Sequence, residues 1–201
     1  GEVGLADAER SRGLHYSEDI IIHQPISAND KIFTECTVCA ISVRKRGTFT
    51  LYRFDHRRAG DSEKTGTLLC TTWNGTYWRG VEISSEKPLH DTNDEGNEWA
   101  LVEKLPPPLP QDGTNINTGT IPLMSIQIPI AANLGIIYSE CSRIWNPIHS
   151  DPATAAASGL EAGPILHGTA TLAKCVSAIV RRFTAGNDPA AVKRVSVQSF
   201  G

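Results

Sequence analysis

The chain has 201 residues, of which 40% are hydrophobic and 20% charged, with a formal net charge of −3. That is enough for one large domain or two small ones with a real core, at a composition ordinary for soluble globular proteins. The charge argues against a nucleic-acid binder, since the longest basic run is Arg44-Lys45-Arg46, and no apolar run approaches the roughly 18 residues of a membrane span.

Residues 15–83 read as β-rich. Ile20 to Ile22 lead into His23-Gln24-Pro25-Ile26, and Ser27-Ala28-Asn29-Asp30 supplies turn residues. Ile32 to Val43 and Thr48 to Phe54 are rich in β-branched and aromatic types, with Arg46-Gly47 between them. After a polar break at Asp61 to Gly66, Thr67 to Val81 carries Trp73, Tyr77 and Trp78. Three or four antiparallel strands joined by tight turns account for this pattern. Asn74-Gly75-Thr76 matches a glycosylation acceptor but reads as a hairpin turn, because Gly1 to Asp7 lacks a basic-then-apolar leader.

Residues 84–120 change character, with an acidic run at Asp91 to Glu98, a stiff Pro106-Pro107-Pro108 and a Gly/Asn/Thr-rich stretch to Thr120. They read as a linker or long loop. The chain then divides into a β-rich portion over 1–105, a linker over 106–120 and a C-terminal portion over 121–201. Within 121–130 one strand is expected, confined to an edge by Pro122 and Pro129.

From Pro164 the period becomes helical. Ile165, Leu166, Leu172, Ala173, Val176, Ile179, Val180 and Phe183 recur at spacings of three, four and seven. Pro164 suits a first turn, Arg181 and Arg182 favour the C-terminal dipole, and Gly186 is a stop. Val192 to Phe200 alternates like a strand. The expected class is α+β, a curled antiparallel sheet around one long buried helix.

The chemistry concentrates in Ile144-Trp145-Asn146-Pro147-Ile148-His149-Ser150-Asp151 and in Gly163-Pro164-Ile165-Leu166-His167-Gly168. A Pro-anchored turn presents His149 beside the backbone N–H groups of a helix entry, an arrangement suited to a carbonyl-containing substrate. His167 reads as a loop-holding residue, through ring hydrogen bonds. Asp151, preceding Pro152, reads mainly as a helix cap. Cys36-Thr37-Val38-Cys39 has zinc-like spacing, but a strand would point the two thiols to opposite faces, so no metal is expected. Five scattered cysteines fit reduced thiols in an intracellular compartment.

The run from Tyr138 to Pro152, with Ala156 to Gly159 and Gly163 to Gly168, resembles the MaoC-like hydratases and dehydratases, which include the R-specific enoyl-CoA hydratases. The resemblance implies a hotdog fold, here a shortened double hotdog or a composite in which early strands wrap the late helix. It implies reversible addition of water to a 2-enoyl thioester of CoA or a carrier protein, without a cofactor. His149 would be the acid/base, Asn146 the orienting residue, and Gly168 with its neighbours the carbonyl-binding donors. His167 and Glu140 complete the expected substrate-binding set.

The family places an Asp five residues before its His, where this chain has Ile144. If 138–145 is helical, Glu140 shares a face with position 144 and is the local substitute. Losing one member of an acid–base pair costs on the order of 10²–10⁴-fold in rate. The alternative is a non-catalytic hotdog subunit that binds acyl chains or supports a partner. A homodimer in the cytoplasm, peroxisome or mitochondrion, without nucleic acid, completes the expectation.

Overall fold

The computed structural model describes residues 9, 12–60, 66–82, 91–92, 98–102, 106–107 and 125–198. Its strands are β1 (Gly13–Ile22), β2 (Ile32–Arg44), β3 (Gly47–Arg58), β4 (Leu68–Arg79), β5 (Asp91–Thr92), β6 (Glu98–Val102) and β7 (Arg194–Gln198). They form one seven-stranded sheet in the order β5-β6-β2-β3-β4-β1-β7, antiparallel at each pairing. The four strands expected between 15 and 83 are β1 to β4.

The β2–β3 hairpin turns through Lys45-Arg46, with Arg44 opposite Gly47. Gly47 has φ +146°, and a Cβ there would lie 2.0 Å from the Trp78 carbonyl oxygen, so only glycine lets the strands close. Cys39, Ala40, Phe49, Leu51 and Trp73 form a buried cluster, against which Tyr16, Ile21 and Tyr77 pack. Buried Trp78 donates its indole N–H to Thr50 Oγ1 at 2.9 Å, satisfying the ring's one polar atom. Cys36 is exposed while Cys39, at the β-bulge between Val38 and Ala40, is buried.

Three helices follow: α1 (Leu134–Ser142), α2 (Pro152–Ala157) and α3 (Gly168–Phe183). Asp151 caps α2, accepting from Ala153 N and Thr154 N, as its position before Pro152 predicts. β7 closes on β1, where the Arg194 guanidinium grips the Asp19 carboxylate at 2.9 and 2.6 Å. Strands from either side of residues 106–120 therefore share one sheet.

Several expectations need correction. Asn74-Gly75 lies inside β4 rather than in a turn. A Cβ on Gly75 would sit 2.1 Å from Ser17 Oγ and 2.8 Å from the Phe49 ring, so this glycine serves close packing between strands. The 84–120 stretch contains β6, which pairs with β2. Its run Glu98-Trp99-Ala100-Leu101-Val102 is strand-prone and finds an open sheet edge, although an acidic stretch hides it. Residues 125–130 are irregular rather than a strand. Residues 61–65 of the polar break, 108–120 of the linker and 121–124 after it lie outside the described residues.

The long helix also departs from its expected form. It begins at Gly168, so Pro164, Ile165 and Leu166 belong to the preceding loop. Its apolar stripe is longer than the contact it makes: Val180 is buried, while Ile179 and Phe183 in the last turns of the helix are exposed. The face carrying Leu172, Ala173, Val176 and Val180 instead looks across a cavity to the sheet.

Candidate active site

The His149 turn is held from three sides. Asn146 caps the short 3-10 turn Pro147–His149 by accepting from Ile148 N at 3.3 Å, and Ile148 is buried beneath it. On one side α1 comes so close that a Cβ on Gly135 would lie 2.3 Å from the His149 carbonyl oxygen. On the other, Ile165 N donates to Ile148 O at 3.2 Å, fastening the loop that leads into α3.

That loop fixes the His149 ring. Nδ1–H donates to Ile165 O at 2.8 Å, which leaves the lone pair on Nε2. Burial pushes the His149 pKa below the ordinary histidine value. The nearby His167 ring pushes the same way, while the Ile165 carbonyl opposes both. Burial and the stack thus disfavour the charged ring, and with Nδ1–H committed the proton-accepting atom of the neutral ring is Nε2.

His167 stacks on His149 with ring centroids 3.7 Å apart and planes inclined by 24°. It is buried, with Nε2 lying 3.3 Å from both Ile144 O and Ser139 Oγ, and the Tyr138 ring packs against it. Its Nδ1 has no partner among the described residues. The loop-holding role read from the sequence matches these contacts.

Gly168 opens α3, and no side-chain bond caps the helix start. Thr171 N donates to His167 O, so the earlier N–H groups precede the first intrahelical bond and carry the positive end of the helix dipole. A Cβ on Gly168 would lie 2.7 Å from His15 Nδ1, so the ring of β1 packs directly on this glycine.

Glu140 and position 144 do not meet as expected. The helix ends at Ser142, and Arg143 adopts a left-handed conformation with φ +62°, so Ile144 lies beyond the helical face. Both Glu140 and Ile144 are exposed. What residue 144 offers the site is its backbone carbonyl, which holds His167.

Sequence reasoning missed a polar cluster on the sheet. Glu18 Oε2 is 2.9 Å from His15 Nε2 and accepts from Asn74 Nδ2 at 2.9 Å. Its one visible signal is an acidic pair, Glu18-Asp19, immediately before Ile20-Ile21-Ile22 in a strand. The pairing of β1 with β4 sets Glu18 opposite Asn74, something no local pattern encodes.

Glu18 and Asn74 line a cavity of about 960 Å³ between the sheet and α3. Ile20, Ile22 and Phe54 face it from the strands, and Leu172, Val176 and Val180 from the helix. Thr169 brings the first turn of α3 to its wall. Neither His149 nor His167 belongs to this lining. His56, on the same wall, has its pKa lowered by burial, against opposing effects of Asp55 and Glu18.

Residues 115–200 match the MaoC like domain model. Over 185 residues the chain is 26% identical to the peroxisomal enoyl-CoA hydratase 2 of Arabidopsis thaliana, covering 91% of this chain and 53% of that protein. The chain thus spans about half the length of this curated relative. Among solved structures, a MaoC-like dehydratase from Phytophthora capsici superposes with a TM-score of 0.69 at 19% identity, covering 98% of this chain and 59% of that one. The full-length peroxisomal multifunctional enzyme type 2 from Drosophila melanogaster gives 0.66 at 24% identity, over 94% of this chain and 29% of that one. These likenesses fix the fold as the hotdog arrangement of sheet and long helix. Residues 115–200 are thus similar to the MaoC like domain, and the chain shares its fold with MaoC-like dehydratases.

Proposed function

We propose that the chain is a hydratase or dehydratase acting on acyl thioesters, adding water reversibly to a 2-enoyl-CoA or carrier-bound substrate. The observation that carries this reading is the His149 ring. Its Nδ1–H is committed to Ile165 O, its Nε2 has no partner among the described residues, and His167 links it to the entry of α3. His149 Nε2 takes a proton from water as the hydroxyl oxygen bonds to C3. The double-bond electrons move onto the thioester oxygen, which the first-turn N–H groups at Gly168 stabilise. The imidazolium then returns the proton to C2. Asn146 acts by shaping the turn, since its side-chain oxygen is engaged with Ile148 N.

A second reading, a non-catalytic subunit, is favoured by the apolar residue at 144 and the exposed Glu140, neither of which supplies an acid to the turn. Crotonyl-CoA hydration by wild type and His149→Ala separates the two. A loss of on the order of 10²-fold or more in the variant supports catalysis, whereas no measurable rate in either protein supports the subunit. Ile144→Asp is the companion variant, and a rate gain there would mean that the acid–base pair had been dismantled in this chain.

The peroxisomal relative supports a peroxisomal location. Exposed Ile136, Ile137 and Trp145 support a homodimer, which light scattering of the purified chain would test.

A further inference from the structure

His15 and Glu18 are three residues apart on β1, a spacing that puts side chains on opposite faces of a regular strand. A bulge between His15 and Ser17 breaks the alternation and lets them meet, with His15 Nε2 2.9 Å from Glu18 Oε2. A carboxylate only accepts, so Nε2 carries the proton and Nδ1 the lone pair. From β4, Asn74 Nδ2 donates to the same oxygen at 2.9 Å, and Glu18 is buried. The imidazole is thus held in one tautomer by a fixed acid, the relation that prepares a histidine to act as a base.

The lone pair stands beside the start of α3. A Cβ on Gly168 would lie 2.7 Å from His15 Nδ1, so the bare glycine is what admits the ring. Nδ1 has no partner among the described residues, and the His15 side chain keeps 21% of its surface exposed. The first-turn N–H groups next to it receive no side-chain cap. His167, the N-cap residue, is 2% exposed and its Nδ1 also lacks a partner among the described residues, so a donor from a bound molecule would complete it. Glu18 and Thr169 both line the cavity between sheet and helix. A base, its orienting acid and a set of N–H donors therefore converge on one place.

We propose that His15 is the catalytic base of a second reaction, the hydrolysis of acyl thioesters whose carbonyl rests on the start of α3, with Glu18 as its positioning residue. The proposal rests on the acyl-thioester reading above, but it uses neither His149 nor a double bond. His15 Nδ1 takes a proton from water as the hydroxyl oxygen bonds to the carbonyl carbon. The C=O electrons move onto the oxygen, where the first-turn N–H groups hold them. The oxyanion then collapses, the C–S bond breaks, and the departing thiolate takes the proton from Nδ1. The products are a carboxylic acid and a thiol, and the imidazole is neutral again.

The test uses butyryl-CoA, which has no double bond to hydrate, with released CoA measured by chromatography. Wild type should release CoA faster than buffer alone. His15→Gln should lower kcat on the order of 10²-fold with little change in KM. Glu18→Gln should lower kcat by about 10-fold or more, because an amide can turn either its oxygen or its nitrogen to the ring and no longer fixes the tautomer. No release by wild type that binds butyryl-CoA in calorimetry would overturn the proposal alone, whether or not the variants fold. A wild-type kcat in His15→Gln, or losses confined to KM, would overturn it as well. Absence of any butyryl-CoA binding would overturn the acyl-thioester reading, and the proposal with it.

Discussion

The imidazoles of His149 and His167 lie face to face, 3.7 Å between centroids, one half-buried and the other buried. At that distance the His167 ring, together with burial, disfavours a charge on His149. The hydrogen bonds agree: His149 is oriented by Ile165 O and His167 lies within reach of Ile144 O. The backbone of residue 144 thus helps to hold the base through the ring stacked on it, although its side chain supplies no acid.

The His149 titration follows from this. Its pKa is lowered by burial and by His167, so its midpoint in a ring-proton NMR titration falls below the ordinary value of 6.5. A depressed histidine pKa means that protonation is harder in the folded state. The associated stability is present above the unfolded value and is lost as pH falls through the folded one. Hydration activity should therefore persist below pH 6.5 before declining, and a decline centred above that value would contradict the assignment.

Replacing His167 by Ala removes both the stacked ring and the partner of Ile144 O. Losing the buried ring with its packing and hydrogen bonds should cost about 0.5–3 kcal/mol in denaturant unfolding. The His149 midpoint should rise toward 6.5 as the neighbouring ring disappears and water enters. A variant of unchanged stability and unchanged His149 titration would show that the stack has no energetic role.

Gly135→Ala tests how the turn is positioned. The new methyl would meet the His149 carbonyl oxygen at 2.3 Å, and because that atom is backbone, relief requires α1 or the turn to move. Overpacking of this kind costs typically about 1–3 kcal/mol. Displacing the base by about 1 Å can cost on the order of 10²-fold in rate. Hydration assays and urea unfolding of the same preparation check both, and a fully active Ala variant would refute the close approach.

Far from the site, the Arg58 guanidinium bonds both oxygens of Asp30 at 2.9 Å, and Ser27 N donates to the same carboxylate. Together they hold its pKa at about 2, below the usual 3.8. Its contribution is present above the unfolded value and is lost as pH falls from 3.8 through about 2. Carboxyl NMR should show Asp30 titrating near that lower value, and Arg58→Gln should bring the midpoint back toward 3.8.

The sequence by itself determined the local grammar of this protein. Period-two runs of β-branched residues specify β1 to β4, Asp151 before Pro152 specifies the start of α2, and Asn146-Pro147 specifies the turn presenting His149. Each is set by neighbours within a few residues, through side-chain alternation, a fixed proline φ and a cap within reach of nearby N–H groups. The resemblance carried by residues 138–168 likewise rests on one contiguous stretch, and the hotdog fold could be expected from it.

Tertiary structure decided everything that depends on partners distant in the chain. Strand register brings Glu18 to Asn74 across 56 residues, and packing sets His15 on Gly168 and His167 on His149. The same long-range choices leave Ile179 and Phe183 exposed on a helix whose stripe predicts burial all along. Periodicity reveals that a face is apolar, but not what will stand opposite it. Register and burial are global outcomes of competing contacts, so the meeting of Glu18 with His15 and Asn74 became visible only once the sheet had closed.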